Sequence, residues 1–235
     1  MSAPATFFSI PAVWHNILVT LLTALYVFSV PPAMNFLVSN REITVETSRK
    51  ITHIFAGSVI FFLPLYVDGD WSQFLNVTVF AIWTILLMYK GLLADDDDVA
   101  VKTMTRTGRK SELLKGTLYF VLVGILCGTF YYKQPAGVLA MAILGWGDGV
   151  APLIGVRYGH HRYHIFADKS LEGSLAFFVA AVGAGILSVH LIVPGYHIGK
   201  VIIIALAATV VEAASPRDID NLTVPLGVIA MSWLL

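Results

Sequence analysis

The chain contains several apolar runs that are long enough to cross a lipid bilayer. A membrane-spanning helix needs about 20 predominantly apolar residues. Eight stretches approach this length, at residues 13–32, 51–67, 71–89, 113–132, 136–154, 171–193, 200–214 and 222–235. The last two are short and could tilt or form a re-entrant pair, which makes seven spans the alternative count. We therefore expect an all-α, polytopic bundle of seven or eight membrane helices, forming a single domain over residues 1–235.

The composition agrees with a chain that has little surface in water. Of the 235 residues, 57% are hydrophobic and only 13% are charged, whereas about a quarter of the residues in a soluble domain are charged. The formal net charge is zero, which argues against a nucleic-acid partner. Cys127 is the single cysteine, so no internal disulfide can form.

The basic residues are distributed unevenly between the two sets of connecting loops. Thirteen of the fifteen lysines and arginines fall in alternate loops, and the opposite loops hold only Lys133 and Lys200. Loops rich in lysine and arginine stay cytoplasmic. We therefore predict that the long loop at residues 90–115 is cytoplasmic and that both termini lie on the opposite face.

One acidic residue interrupts an otherwise apolar span. Asp148 lies in the sequence Gly-Trp-Gly-Asp-Gly at residues 145–149. Glycines in membrane helices often serve only for close packing, but packing does not explain the carboxylate. A carboxylate at membrane depth must be paired or must bind a cation, and oxygen ligands suit Mg²⁺. Asp148 is therefore a candidate metal ligand and catalytic residue.

A polar segment leads directly into the next apolar run. Residues 168–174 read Asp-Lys-Ser-Leu-Glu-Gly-Ser. A helix N-terminus offers free N–H groups and the positive end of the helix dipole, which favour phosphate. Lys169, Ser170, Gly173 and Ser174 are therefore candidate phosphate-binding residues. The alternative is an interfacial helix cap with a lysine that reaches toward the headgroups.

A second group of acidic residues surrounds the last turn. Glu212 lies late in one apolar run, and Asp218, Asp220 and Asn221 precede the final run. The predicted topology places this turn on the same face as the segment at residues 157–169, so the group could complete a metal site. The alternative is that these side chains only cap the final helix.

The loop at residues 101–116 carries many cations, and its function is ambiguous. Its basic side chains could clamp a polyphosphate. They could equally bind anionic lipid headgroups without catalysis.

Taken in order, these segments resemble the family of membrane-bound, CTP-dependent polyprenol kinases. This family includes phytol, farnesol and dolichol kinases and the yeast-type diacylglycerol kinase. The similar segments are Ser-Arg-Lys-Ile-Thr-His at residues 48–53, which contains Arg49, Lys50 and His53; residues 102–116; Gly-Asp-Gly and the following glycines at residues 147–159; residues 169–174; and Asp-Asn-Leu-Thr-Val-Pro at residues 220–225. The resemblance covers residues 48–235 and is greatest to the phytol and farnesol kinase branch. This chain has Glu172 where many relatives have alanine.

The resemblance implies transfer of the γ-phosphate of CTP to a membrane isoprenoid alcohol of the phytol, farnesol or geranylgeraniol class. Cytosolic CTP would approach from the basic face, and the alcohol's tail would lie among the helices. Phosphoryl transfer depends mainly on positioning and on neutralising charge. We expect Asp148, Lys169 and Asp220 to be catalytic. The expected ligands of Mg²⁺ are Asp148, Glu172, Glu212, Asp220 and Asn221. The expected phosphate-binding residues are Lys169, Ser170, Gly173 and Ser174, assisted by Arg106, Lys115 and Arg157.

Two other functions are compatible with parts of this pattern. A cytidylyltransferase that makes a CDP-lipid would use similar carboxylates and the same nucleotide. A small transporter or lipid-binding scaffold would spread its polar residues along a path through the membrane, whereas here they cluster at one face. The sequence leaves open whether the chain forms a homo-oligomer.

Overall fold

The computed structural model describes residues 11–95 and 97–235, and this part of the chain is almost entirely helical. The expected all-α class is confirmed. The α-helices are α1 (Ala12–Ser39), α2 (Val45–Gly57), α3 (Thr78–Leu93), α4 (Val99–Met104), α5 (Gly116–Phe130), α6 (Pro135–Ala142), α7 (Gly149–Tyr158), α8 (Leu171–Ile192), α9 (Ile198–Ala213) and α10 (Asp220–Leu234). Three 3-10 segments (Ser58–Leu65, Trp71–Val77 and Lys110–Leu114) and one π-helical segment (Ile143–Asp148) join or extend them. A short antiparallel hairpin of β1 (Arg162–His164) and β2 (Asp168–Ser170) precedes α8.

Within residues 11–95 and 97–235, five continuous helical stretches are long and apolar enough to cross a membrane. They are Ala12–Ser39, Trp71–Leu93, Lys110–Phe130, Pro135–Tyr158 and Leu171–Ile192, and each coincides with a predicted span. The other three predicted spans are also helical, but the first passes from α2 into a 3-10 segment, and α9 and α10 have 16 and 15 residues. At about 1.5 Å per residue, those two helices are shorter than the hydrocarbon core, which is about 30 Å thick. The count of seven or eight spans stays a prediction.

The stretch Pro135–Tyr158 forms the centre of the bundle. In its most apolar part 72% of the residues are buried, against 28% to 39% in the other four stretches. Large apolar side chains on the outer helices, such as Trp14, Leu25 and Ile85, are exposed, as lipid-facing residues would be. The central helix contains the π-helical segment that ends at Asp148. π-Helical turns are rare and occur often at functional sites.

Two glycines allow α2 to cross the central helix with its backbone in contact. A Cβ atom added to Gly145 would lie 2.6 Å from the Cα atom of Gly57, so no larger residue fits at this crossing without a backbone shift. The glycines of the Gly-Trp-Gly-Asp-Gly segment therefore do serve packing. Their effect is to hold α2, with Lys50 and His53, against the turn that carries Asp148.

The loops predicted to share a face do meet at the same end of the bundle. Arg106 lies in the long basic loop, and its Nη1 atom is 3.3 Å from Oδ1 of Asp218 in the turn before α10. At the opposite end, Nζ of Lys133 lies 2.9 Å from Oδ1 of Asp68. The basic loops are thus joined to the acidic last turn, which is the juxtaposition that the predicted topology requires. The orientation of these ends relative to a membrane remains a prediction.

Candidate active site

The buried carboxylate of Asp148 is held by two residues of α2. Nζ of Lys50 lies 2.9 Å from Oδ2 of Asp148 and also donates a hydrogen bond to the Asp148 carbonyl oxygen at 3.1 Å. Nε2 of His53 lies 3.3 Å from the same carboxylate oxygen. Because Asp148 is only 4% exposed, its charge depends on these partners. The sequence identified Asp148 and, through the family motif, Lys50 and His53, but it did not pair them.

A second buried ion pair lies nearby. Nζ of Lys169, in the middle of β2, is 2.7 Å from Oε1 of Glu212 and also donates to the Glu212 carbonyl oxygen. The other carboxylate oxygen, Oε2, is buried and has no hydrogen-bond partner among the described residues. Lys169 therefore does not reach toward the headgroups, as the helix-cap interpretation supposed, but points inward to an acidic residue of α9.

These two pairs line a polar cavity with an empty volume of about 1130 Å³. The cavity is open at the end of the bundle where the basic loops meet. Five cationic side chains, drawn from four separate segments of the chain, line it. They are Lys50, Arg106, Arg162, Lys169 and Arg217. Its acidic side chains include Glu46, Asp148, Glu212 and Asp220. A cavity that concentrates this many cations suits a polyanion such as a nucleotide polyphosphate.

The N-terminus of α8 forms one wall of the polar cavity. Ser170 precedes the helix, and its Oγ atom accepts a hydrogen bond from the backbone N–H of Gly173 at 3.1 Å. Ser174 Oγ lies 2.6 Å from the hydroxyl of Tyr163. Ser170, Gly173 and Ser174 all line the cavity. The serine hydroxyls thus have partners within the protein, and Ser170 is a helix cap that also borders a site suited to phosphate.

An apolar chamber adjoins the polar cavity inside the bundle. Its empty volume is about 1100 Å³, and its walls are formed mainly by side chains of α1, α2, α3 and α5. Three charged residues, Lys50, Arg106 and Asp148, line both the chamber and the polar cavity. The Lys50–Asp148 pair therefore marks the place where an apolar compartment and a highly charged compartment meet.

The last turn contributes Asp220 and Asn221 to opposite sides of this junction. Asp220 lines the polar cavity and Asn221 lines the chamber. The pKa of Asp220 is raised to about 7, mainly because its carboxyl group is buried at the start of α10 and secondly because the Asp148 carboxylate is nearby. The Oδ1 atom of Asn221 is buried and has no hydrogen-bond partner in the described part of the chain. Negative charge is thus crowded here, which is what a cation would relieve.

Three predicted site residues do not lie in either compartment. The Glu172 carboxylate points to the hairpin, with Oε1 2.7 Å from Nδ1 of His161. Lys115 is exposed, and Arg157 is exposed with its guanidinium 5.4 Å from the centre of the Tyr158 ring. Arg162 and Arg217 take the corresponding places in the polar cavity. The sequence placed Arg162 and Arg217 in the basic loops, and it contained no other indication that they line the site.

The arrangement of carboxylates fits a cation that arrives with its substrate. Within residues 11–95 and 97–235, no three His, Cys, Asp or Glu side chains are close enough together to form a ready-made metal site. Mg²⁺ usually keeps several waters and needs one or two carboxylates in addition to substrate phosphates. The unpartnered Oε2 of Glu212 and the carboxylate of Asp220 meet that requirement, since both line the polar cavity.

Comparison with known proteins identifies relatives along nearly the whole chain. The chain is 32% identical to the probable phytol kinase 1, chloroplastic, of Oryza sativa subsp. japonica, over 96% of this chain and 76% of that protein. It is 32% identical to the probable phytol kinase, chloroplastic, of Triticum aestivum, over 92% of this chain and 76% of that protein. It is 34% identical to the phytol kinase of Synechocystis sp., over 80% of this chain and 78% of that protein. No family model matches the chain, and no solved structure matches it either.

Proposed function

The chain belongs to the polyprenol kinase family that contains the phytol kinases, and on this premise we propose that it transfers the γ-phosphoryl group of CTP to the hydroxyl of a membrane isoprenoid alcohol. Phytol is the first candidate acceptor, because the relatives carry its name, and farnesol and geranylgeraniol belong to the same chemical class. The observation that carries the proposal is the junction between the apolar chamber and the polar cavity. A kinase for lipid alcohols needs such a junction, since its two substrates differ completely in polarity.

The apolar chamber is the proposed site for the alcohol. An isoprenoid tail would bury its surface among the apolar side chains of the chamber, with a gain of about 25 cal/mol for each Å² removed from water. Its hydroxyl would then lie at the polar end, where Lys50, His53 and Asp148 line the chamber. His53 is the candidate to accept the hydroxyl proton, because it lies at this end and is oriented by Asp148.

The polar cavity is the proposed site for the CTP triphosphate. Lys169 and Lys50 would hold phosphate oxygens, with Arg106, Arg162 and Arg217 as further cations and the N-terminus of α8 as a source of backbone N–H groups. Both lysines are paired with carboxylates in this structure. Phosphate oxygens would compete with those carboxylates, so binding of the nucleotide would rearrange the two ion pairs.

Mg²⁺ is the metal that this donor set suits. Glu212 and Asp220 would hold it, while Asp148 would keep Lys50 and His53 in place. When bound, the metal supplies positive charge that offsets the charge on the transferring phosphoryl group. The chain's own part is to hold the phosphates and the hydroxyl in line at the junction and to keep the chamber free of water.

The decisive experiment separates the proposed kinase from a cytidylyltransferase by its products. Purified protein in detergent or lipid nanodiscs would be given Mg²⁺, phytol and CTP labelled in either the α- or the γ-phosphate. A kinase produces a lipid monophosphate that carries the γ-label, together with CDP. A cytidylyltransferase acts on a lipid monophosphate, so phytyl phosphate would replace phytol in a parallel reaction. It would produce a CDP-lipid that carries the α-label, together with pyrophosphate, and a transporter or scaffold produces neither product. Replacing CTP with ATP, GTP or UTP tests the choice of nucleotide.

A further inference from the structure

A second, smaller apolar cavity lies beyond the deep end of the chamber. Its empty volume, counted together with the space that opens to its surroundings, is about 340 Å³, and Asn76, Cys127 and Met141 are among the residues that line it. Among the residues that the structure describes, only Val59 and Phe80 border both this cavity and the chamber. Because Val59 has a small side chain, the Phe80 ring is the larger part of the wall between the two spaces.

The two cavities follow one another along a single face of α5. On this helix the chamber is lined by Gly116, Thr117, Phe120 and Val121, and the second cavity is lined by Gly124, Cys127 and Gly128. Gly116 begins the helix next to Asp218 and Asn221, at the charged junction. The seven residues from 121 to 128 advance about 10 Å along the helix axis. The second cavity therefore extends the chamber directly away from the charged junction.

The Phe80 ring is firmly placed between the two spaces. A Cβ atom added to Gly124 would lie 2.7 Å from the edge of this ring, so the ring rests against the bare backbone of α5. On the chamber side, the centroid of the Phe120 ring is 6.5 Å from that of Phe80 in an edge-to-face arrangement. Phe80 itself is 7% exposed. A ring packed on two sides in this way forms a fixed floor rather than a mobile gate.

We propose that Phe80 sets the maximum length of the alcohol that the enzyme accepts, by closing the chamber at a fixed distance from the charged junction. This inference rests on the proposed function, since it assumes that the tail of the acceptor lies in the chamber. A tail that reaches the Phe80 ring fills the chamber. A longer tail cannot extend further, so its hydroxyl is displaced from the junction and the alcohol is a poor acceptor.

The test is the acceptor profile of Phe80→Ala. The wild-type protein and the variant would be assayed with a series of isoprenoid alcohols, each one isoprene unit longer than the last, beginning at farnesol. One methylene in an apolar pocket changes kcat/KM by at least about tenfold. We therefore expect the ratio of kcat/KM for the alcohol one unit beyond the wild-type limit to that for the preferred alcohol to rise by at least about tenfold in Phe80→Ala. An unchanged ratio would overturn the proposal.

A second variant and a matched control guard against effects of misfolding. Phe80→Leu removes less volume and should shift the profile in the same direction by a smaller factor, so it carries the test if Phe80→Ala does not fold. Phe62→Ala removes the same ring from a position that packs on Tyr26, with ring centroids 5.2 Å apart, and that borders neither cavity. An equal shift in Phe62→Ala would show that the profile follows general loosening and would reject the assignment to Phe80.

A binding readout separates this inference from the proposed reaction. An isoprenoid alcohol one unit beyond the wild-type limit, with a diazirine at its tail end, would be photolysed in the protein, and the attached peptides mapped by mass spectrometry. Attachment at Cys127 or Met141 in Phe80→Ala but not in the wild type supports the inference, and identical maps contradict it. If neither protein phosphorylates any alcohol, the proposed function fails, whereas phosphorylation with an unshifted profile makes the inference alone fail.

Discussion

Nζ of Lys50 lies 2.9 Å from Oδ2 of Asp148, although the two residues are 98 positions apart in the chain. Together they form part of the wall shared by the apolar chamber and the polar cavity. The pair is possible because α2 crosses the central helix at two glycines, Gly57 and Gly145. Four predictions follow from the buried charges at this junction and from the loops around it.

Asp148→Asn should reduce kcat/KM by at least about a hundredfold, the scale of removing one preorganised charged group from an active site. The exchange keeps the shape of the side chain and removes the charge that holds Lys50 and His53. Turnover per folded molecule would be measured after size-exclusion chromatography in detergent. Asp68→Asn is the matched control, because Asp68 also pairs with a lysine, Lys133, at the other end of the bundle. Full activity in Asp148→Asn would remove the centre of the proposed site.

A double-mutant cycle on Lys169 and Glu212 should distinguish the effect of this pair on stability from its effect on activity. Lys169→Met leaves the buried carboxylate of Glu212 without its partner, which should destabilise the protein by about 3–5 kcal/mol. The double variant Lys169→Met/Glu212→Gln should recover most of that loss. If Lys169 binds phosphate, both variants should keep a raised KM for CTP and a lowered kcat. Thermal unfolding in detergent and steady-state kinetics measure the two effects, and a double variant with normal kinetics would limit the pair to a structural role.

Removal of divalent cations should abolish turnover, and Mg²⁺ should restore it. If Glu212 and Asp220 hold the metal, Asp220→Asn should raise the Mg²⁺ concentration needed for half-maximal activity. Glu172→Ala should not change it, since the Glu172 carboxylate bonds to His161 outside the cavity. Activity titrated against free Mg²⁺ provides the measurement. If Glu172→Ala changed the Mg²⁺ concentration needed for half-maximal activity and Asp220→Asn did not, Glu172 and not Asp220 would be the metal ligand.

A cysteine at Ser111 should react with a membrane-impermeant reagent added from the cytoplasmic side, and one at Gln134 should not. Both positions are exposed, and they lie on opposite sides of the predicted division of basic loops. The Cys127→Ala background removes the single native thiol. Labelling of both positions from one side would contradict the predicted topology, whereas labelling of Gln134 alone would invert it.

The sequence by itself determined the all-α membrane class and pointed to the candidate residues for the chemistry. Runs of about 20 apolar residues can satisfy their backbone hydrogen bonds in lipid only as helices, so five of the predicted spans recur in the structure. A carboxylate within such a run, as at Asp148, is conspicuous because burying a charged group without a partner is costly. Family resemblance, confirmed by the phytol kinase relatives, added Lys50 and His53 without assigning their contacts.

Only the tertiary structure decided which charges meet and where the apolar space ends. The partners Lys50–Asp148 and Lys169–Glu212 come from different helices, and no periodicity in a sequence encodes the angle at which two helices cross. Glu172 and Lys169 are three residues apart, yet only Lys169 faces the polar cavity, because β2 ends and α8 begins between them. The chamber and its floor at Phe80 likewise exist only where side chains of several helices fail to fill the space between them. Apolar runs predict that helices form in a bilayer, and packing determines the spaces they enclose.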